Sequence, residues 1–352
     1  MRFPNQSLQS AAPDVDGQLR NQGVDSVTQA VLGASVAGVC APAGHRREAL
    51  LIGAALGTLP DLDVLIDYGD PVSNFTYHRG FSHSLFVLAP FSILLWLALR
   101  RWWAPVRDAP LQWLAAIALT LITHPLLDAH TVYGTQLWWP MTVPPTMWST
   151  LFIIDPLYTL PLLAGAFVAA IWPARRRATV AIRTGLMLST LYVGWSWTAK
   201  LVVEDHAKQA LADMGLRGAP MFSVPTPLNT VLWRVVALSD DGYVEGFDSL
   251  LVDEGGIRLQ HFESDTESLQ AARDIPAVAR LRWFARDFLR VTLENGRLVL
   301  SDLRMGQEPD YVFTHVVAEI GNPHWKAIPP EQIPLNFSQR ALAETWRRIF
   351  AE

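Results

Sequence analysis

The sequence predicts a polytopic helical bundle in a membrane, followed by a small, mostly β soluble domain of α+β character. Three observations predict it. Half of the 352 residues are hydrophobic and only 17% are charged, against about 25% in ordinary soluble domains. Long apolar runs alternate with arginine-bearing connections up to about residue 203. Beyond it, charged residues return together with β-branched and aromatic alternation, the pattern of strands.

Composition narrows the function classes. Fourteen tryptophans and a positive mean hydropathy agree with a membrane protein. The net charge of −5 is mild and spread out, so nucleic acid, which needs a basic face, is excluded as a partner. Cys40 is the only cysteine. That rules out an internal disulfide and a cysteine-rich zinc site, and a metal here must use histidine and carboxylate.

Residues 1–23 are polar and lack the apolar core of a signal peptide. They read as a disordered extension, with a start codon placed too early. Residues 26–39 form a short apolar run that Asp25 or Ser26 caps. Residues 49–59 are a second, rich in small residues that let helices approach closely. The run 81–99 has the length of a full span, closed by Arg100, Arg101, Trp102 and Trp103 as interface anchors. Residues 111–127, 151–172 and 179–198 complete the set.

The connections sort by charge. Residues 40–48, 100–110 and 173–183 hold nine arginines, whereas 60–80 and 128–150 hold one, Arg79. Arginine excess marks the cytoplasmic side. Asp25, Asp61, Asp63, His78, His83, His124 and Asp128 are therefore expected together on the outer, periplasmic side, as is the C-terminal domain. From 204 to 328 the reading is a mainly β unit, with strands expected at 230–237, 243–251 and 311–319. A hairpin is expected where 289–293 and 297–300 flank Asn295-Gly296. Residues 329–352 are read as a tail after Pro329-Pro330, with Leu342, Trp346, Ile349 and Phe350 on one helical face.

The chemistry gathers around Tyr77-His78-Arg79-Gly80-Phe81-Ser82-His83-Ser84, polar residues at the mouth of the 81–99 run. His124 and Asp128 are four apart and share one helical face. Asp61 and Asp63 follow a proline at a helix end. Imidazole with carboxylate suits zinc, manganese or iron better than calcium, and more than four candidates point to two ions. Plainer readings exist for each group. Asp25 serves as an N-cap, Asp61 and Asp63 as a turn, His124 and Asp128 as a paired core couple. His78 and Arg79 serve as headgroup contacts. Gln29, His130 and His206 are weaker candidates. Ser82 and Ser84 lack the G-x-S-x-G surroundings of a nucleophile elbow. Trp138, Trp139 and Trp148 read as an interfacial belt.

Asp25-Ser26-x-Thr28-Gln29, Pro60-Asp61-Leu62-Asp63, His78-Arg79-Gly80-Phe81-Ser82-His83-Ser84 and His124-Pro125-Leu126-Leu127-Asp128 resemble the motifs of the YdjM-like family. These are bacterial inner-membrane proteins described as metal-dependent hydrolases. Asp155-Pro156-Leu157-Tyr158, Thr226-Pro227-Leu228-Asn229 and Asp302-Leu303-Arg304-Met305-Gly306 resemble a longer branch with a C-terminal domain. Many relatives have histidine at the position of Gln29, and an amide is a poor zinc ligand.

The resulting expectation is a membrane-bound hydrolase. It acts on a phosphoester or other ester of a lipid or envelope-derived substrate through metal-activated water. The expected metal ligands are Asp61, Asp63, His78, His83, His124 and Asp128, with zinc as the ion and manganese as the alternative. Arg79 is expected to hold the phosphate as a planar fork, and Asp25 or His83 to act as base. The rival classes are a non-enzymatic metal-binding or transport protein and an envelope assembly factor. Transport needs polar groups through the membrane depth, and the long spans carry almost none away from one end.

Overall fold

A computed structural model describes residues 15–253, 256–322, 324–334 and 346–350, with side chains from Ser26 onward within them. Helices α1 (Val15–Cys40) and α2 (Arg46–Thr58) pack along each other. Gly33 and Gly53 face one another there, and a Cβ on Gly53 would overlap the Gly33 carbonyl oxygen. Glycine lets the two backbones approach this closely. Residues 15–23 continue α1, and 1–14 lie outside the described residues.

Helix α3 (Pro71–Tyr77) is capped by Asp70, which accepts from the Val72 and Ser73 N–H groups. Helix α4 (Leu85–Trp102) is capped by Ser84 and ends on Arg100 and Arg101. Helices α5 (Ala104–Asp108), α6 (Pro110–Ala129), α7 (Pro156–Ile171) and α8 (Arg176–Asp213) follow. Helices α4 and α6 are long and apolar enough to cross a membrane, whereas Ser26–Cys40 and α7 are apolar but shorter. The expected 151–172 helix starts only at Pro156. Asp155 accepts from the Leu157 and Tyr158 N–H groups there, and proline suits the first helical position. Helix α8 runs on past residue 203, because Ala199, Val203 and Ala207 pack on the first sheet beside Trp233 and Val235.

The arginine end is stitched together. Buried Arg46 donates to the Gly38 carbonyl (3.2 Å), the Thr179 hydroxyl (2.8 Å) and the Pro173 carbonyl. Arg47 donates to the Ala170 carbonyl at 2.8 Å. These bonds satisfy carbonyls that the ends of α1 and α7 leave open.

Strands β1 (Met221–Pro225), β2 (Leu232–Ser239), β3 (Gly242–Ser249) and β4 (Arg258–Glu263) form one antiparallel sheet in that order. Helices α9 (Thr266–Ala271) and α10 (Pro276–Ala285) lead to β5 (Leu289–Glu294) and β6 (Arg297–Asp302), then a short hairpin of β7 (Gly306–Gln307) and β8 (Asp310–Tyr311). Strands β9 (Thr314–Glu319) and β10 (Lys326–Ile333) complete a second sheet, ordered β10-β9-β6-β5. The turn between β5 and β6 has Asn295 at φ +53° and Gly296 at φ +77°, as a type I′ hairpin requires. Pro329 and Pro330 do not end the sheet. They sit in edge strand β10, where the register shifts between Ala327 and Glu331, a place where missing donors cost little. Of the expected tail helix, Leu342 lies outside the described residues. Ile349 is buried, and its carbonyl accepts from the Ser249 hydroxyl at 2.9 Å.

Phe222, Val236, Tyr243, Phe288, Leu303 and Tyr311 form a core that joins the two sheets. Another core packs Val278, Leu281 and Phe284 of α10 on Leu289, Leu300 and Val317. It also takes in Val72 and Phe75 of α3 and Tyr133 after α6. The helical region and the sheets therefore share a core next to the residues of interest.

Candidate metal centre

The donors come from three helix ends. Asp61 and Asp63 lie in a 3-10 turn, Pro60–Leu65, directly after α2. His83 lies in the turn Phe81–His83 before α4. His124 and Asp128 occupy the last turns of α6 on one face. Asp61, His83, His124 and Asp128 each offer a ligand atom, all within 4.8 Å of one another. His83 Nε2 is 3.0 Å from His124 Nε2 and 3.1 Å from Asp128 Oδ2. Asp61 Oδ1 is 3.4 Å from both imidazole nitrogens.

The hydrogen-bond inventory fixes the character of these atoms. His124 Nδ1 lies 2.6 Å from the Gly57 carbonyl oxygen. A carbonyl only accepts, so Nδ1 carries the hydrogen and neutral His124 presents a bare Nε2. Ser82 Oγ donates to Asp63 Oδ2 (2.5 Å) and lies 2.9 Å from His83 Nδ1. With its proton committed to Asp63, the hydroxyl accepts from His83 Nδ1–H and leaves His83 Nε2 bare too. With both rings neutral, buried Asp128 Oδ2 receives no hydrogen bond among the described residues and has only the Arg79 guanidinium as an ion-pair partner, Nε at 3.4 Å. Two lone-pair nitrogens and two carboxylates facing one another repel, and a cation among them removes the conflict. The four residues fit a divalent metal, and the partners on their far atoms orient them as metal ligands are usually oriented.

Charge outside the helical spans follows the same pattern. Without a cation the two Nε2 atoms can carry protons instead: burial opposes ionisation of Asp61, but hydrogen bonds from protonated His124 and His83 outweigh it and hold its carboxyl below the usual carboxylate range. Burial pushes the His83 imidazole down, while the bonds that its protonated Nε2 gives to Asp128 and Asp61 push it up more, for a net rise. A proton therefore competes with a cation for the same nitrogen.

Residues 24–203 match the profile of the YdjM inner membrane protein family, just over half of the chain. The chain belongs to the YdjM family. It is 22% identical to the uncharacterized protein YfhP of Bacillus subtilis (strain 168) over 230 residues, 63% of this chain and 68% of YfhP. It is 34% identical to the inner membrane protein YbcI of Escherichia coli (strain K12) over 91 residues, 26% of this chain and 51% of YbcI. No solved structure matches the chain.

Within this YdjM-family chain, the six expected ligands separate into two groups. Asp63 Oδ1 is 2.7 Å from His78 Nδ1, and Oδ2 accepts from the Arg79 N–H at 3.0 Å and from Ser82. Both oxygens of Asp63 are engaged, and Asp63 and His78 lie beside the four-residue donor cluster rather than within it. Arg79 Nε is 3.4 Å from Asp128 Oδ2, and another guanidinium nitrogen donates to Thr131 Oγ1 at 3.1 Å. The fork expected to grip phosphate is turned to Asp128 and Thr131. The Asp25 side chain lies outside the described residues. Ser84 donates to the Trp139 carbonyl at 2.6 Å, and His130 contacts Thr150 at 2.7 Å, both away from the cluster. Gln29 Nε2 donates to Asp128 Oδ1 at 2.7 Å and to the His124 carbonyl at 3.2 Å. Gly57 is the residue sequence reasoning missed. Its carbonyl holds His124, and only its place among small residues at the end of α2 hinted at a close neighbour.

Proposed function

We propose that this chain is a multi-pass inner-membrane hydrolase with one divalent metal centre, acting on a phosphoester of an amphiphilic substrate. The observation that carries the reading is the facing pair of bare imidazole nitrogens, closed in by Asp61 and Asp128. Imidazole with carboxylate suits zinc, with manganese as the second choice. When bound, such an ion supplies Lewis acidity and acidifies water at neutral pH. The protein residues have separable roles. His83, His124, Asp61 and Asp128 hold the ion. Asp63, Ser82 and the Gly57 carbonyl fix the two rings, and Gln29 and Arg79 fix Asp128. Among these four ligands only the Asp61 side chain is appreciably exposed, at 17%, so substrate approaches from its side. Leu62, Leu65 and Ile66 are exposed next to it, an apolar rim that suits a lipid-like ester.

The proposed topology puts the arginine-stitched end in the cytoplasm and the cluster at the periplasmic face. The opposed placement of Arg46 and Asp61 at the two ends of α2 supports this. The test is phosphate release from a panel of lipid phosphoesters by the purified full chain in detergent with zinc or manganese. Release by the unaltered protein and none by His124→Ala is expected. Equal release by both proteins would place the catalyst elsewhere.

A further inference from the structure

The C-terminal domain grips the segments that carry the metal centre. Arg280 of α10 donates to the Thr76 hydroxyl (2.9 Å) and the Thr76 carbonyl (3.1 Å), and its guanidinium lies 4.1 Å from the Tyr77 ring centroid. His78 and Arg79 follow directly. Arg304, after β6, is fully buried and forms a fork with Asp302, Nε to Oδ1 at 2.9 Å and an outer nitrogen to Oδ2 at 2.6 Å. Its remaining nitrogen donates to the Tyr133 carbonyl at 3.0 Å, 171 residues away in sequence. Tyr133 donates its hydroxyl to the Phe75 carbonyl at 2.5 Å, and its ring lies 5.1 Å from the Arg79 guanidinium.

Arg79 needs this support. Its backbone is left-handed, φ +58°, a conformation that persists in a non-glycine residue only where the surroundings fix it. Its N–H is held by Asp63, and its carbonyl accepts from the Gln136 N–H at 3.0 Å. Gln136 lies three residues past Tyr133, in the same segment. A buried ion pair such as Asp302–Arg304 adds little stability over apolar residues of the same volume. Its placement at this contact therefore points to geometry rather than stability.

We propose that Arg304 is a positioning residue for the metal centre. By fixing the Tyr133 main chain it sets the ring against which the Arg79 guanidinium rests, and so the orientation of Asp128. The inference rests on the metal reading above, and it gives the C-terminal domain a role in completing the site from outside the bundle.

The test uses the full chain in detergent. Zinc affinity is measured by competition with a chromogenic chelator, and the visible spectrum of the cobalt(II)-loaded protein reports ligand geometry. The double variant Asp302→Asn/Arg304→Gln removes both charges, so no lone buried charge remains. Tyr133→Leu removes the ring and Tyr133→Phe keeps it. Arg286→Gln breaks a different contact between domain and bundle, Arg286 to the Pro145 carbonyl at 2.7 Å. The double variant and Tyr133→Leu are expected to weaken zinc binding about tenfold, as loss of ligand-orienting partners does, and to shift the cobalt spectrum. Tyr133→Phe and Arg286→Gln should stay within about twofold of the unaltered protein. Unchanged affinity and spectrum in folded Tyr133→Leu overturns the inference, as does an equal loss in Arg286→Gln. If the double variant fails to fold, the Tyr133→Leu and Tyr133→Phe pair decides. If the unaltered protein binds neither zinc nor cobalt, the metal reading itself falls and takes this inference with it.

Discussion

Gln29→Ala probes how the cluster is oriented without touching a ligand. The Gln29 amide donates to Asp128 Oδ1 at 2.7 Å inside the bundle. Alanine deletes that bond and leaves the oxygen buried with no replacement. A hydrogen bond to a charged group contributes about 1.5–3 kcal/mol. Asp128 is then free to turn away from the two imidazoles. If that whole free energy appears in metal binding, zinc affinity falls by roughly 10- to 100-fold, the range seen when ligand-orienting partners are removed. The assay is chelator competition on the full chain in detergent, beside thermal unfolding of the metal-free protein. Gln29→His keeps a donor at this place and should bind zinc nearly as well as the unaltered chain. Affinity within about twofold of the unaltered chain for Gln29→Ala would refute the argument, because Asp128 would then hold its orientation unaided.

Other consequences follow from the same geometry. Burial pushes His315 down to about 4 from its ordinary 6.5, with Asp302 and Asp70 offsetting part of the effect. The unfolded chain takes up the proton first, so this contribution to stability is complete above pH 6.5 and falls away toward pH 4. It amounts to about 3 kcal/mol. His315→Gln should flatten the pH dependence of thermal unfolding over that window, and an unchanged slope would show that His315 is not held neutral. Asn295→Ala puts a Cβ-bearing residue without a local hydrogen bond at φ +53° and should cost about 1 kcal/mol, read as a drop of a few degrees in melting temperature. No change in melting would mean that the turn relaxes at no cost. A reporter active only in the cytoplasm, fused after Glu352, should stay silent. Strong signal there would reverse the proposed orientation.

The parts of the site that were legible in the sequence are those that depend on spacing. His124 and Asp128 share a helix face by periodicity alone. Alternating arginine content brought Asp61 and His83 to the same end of the bundle. What stayed hidden depends on which way a short turn points a side chain. Asp61 and Asp63 look alike in sequence, yet the 3-10 turn sends one toward the imidazoles and the other toward His78, the Arg79 N–H and Ser82. Gln29 looked inert because an amide is a poor ligand, and its service to Asp128 is a tertiary contact spanning 99 positions. In the fold, Asn295-Gly296 announced its hairpin because few residues tolerate that backbone. Strand β10 was missed because prolines normally end strands, and only its edge position and register shift accommodate them. The docking of α10 on α3 was not legible either, since Phe75 and Phe284 meet from distant segments.

The central claim is that His83, His124, Asp61 and Asp128 hold a divalent ion. Elemental analysis of the purified full chain, exposed to zinc and freed of excess, tests it most directly. One ion per chain is expected in the unaltered protein and in His45→Ala, a control from the arginine end. None is expected in folded His83→Ala/His124→Ala. Full occupancy in the double variant, or an unaltered chain that retains no metal, would contradict the account.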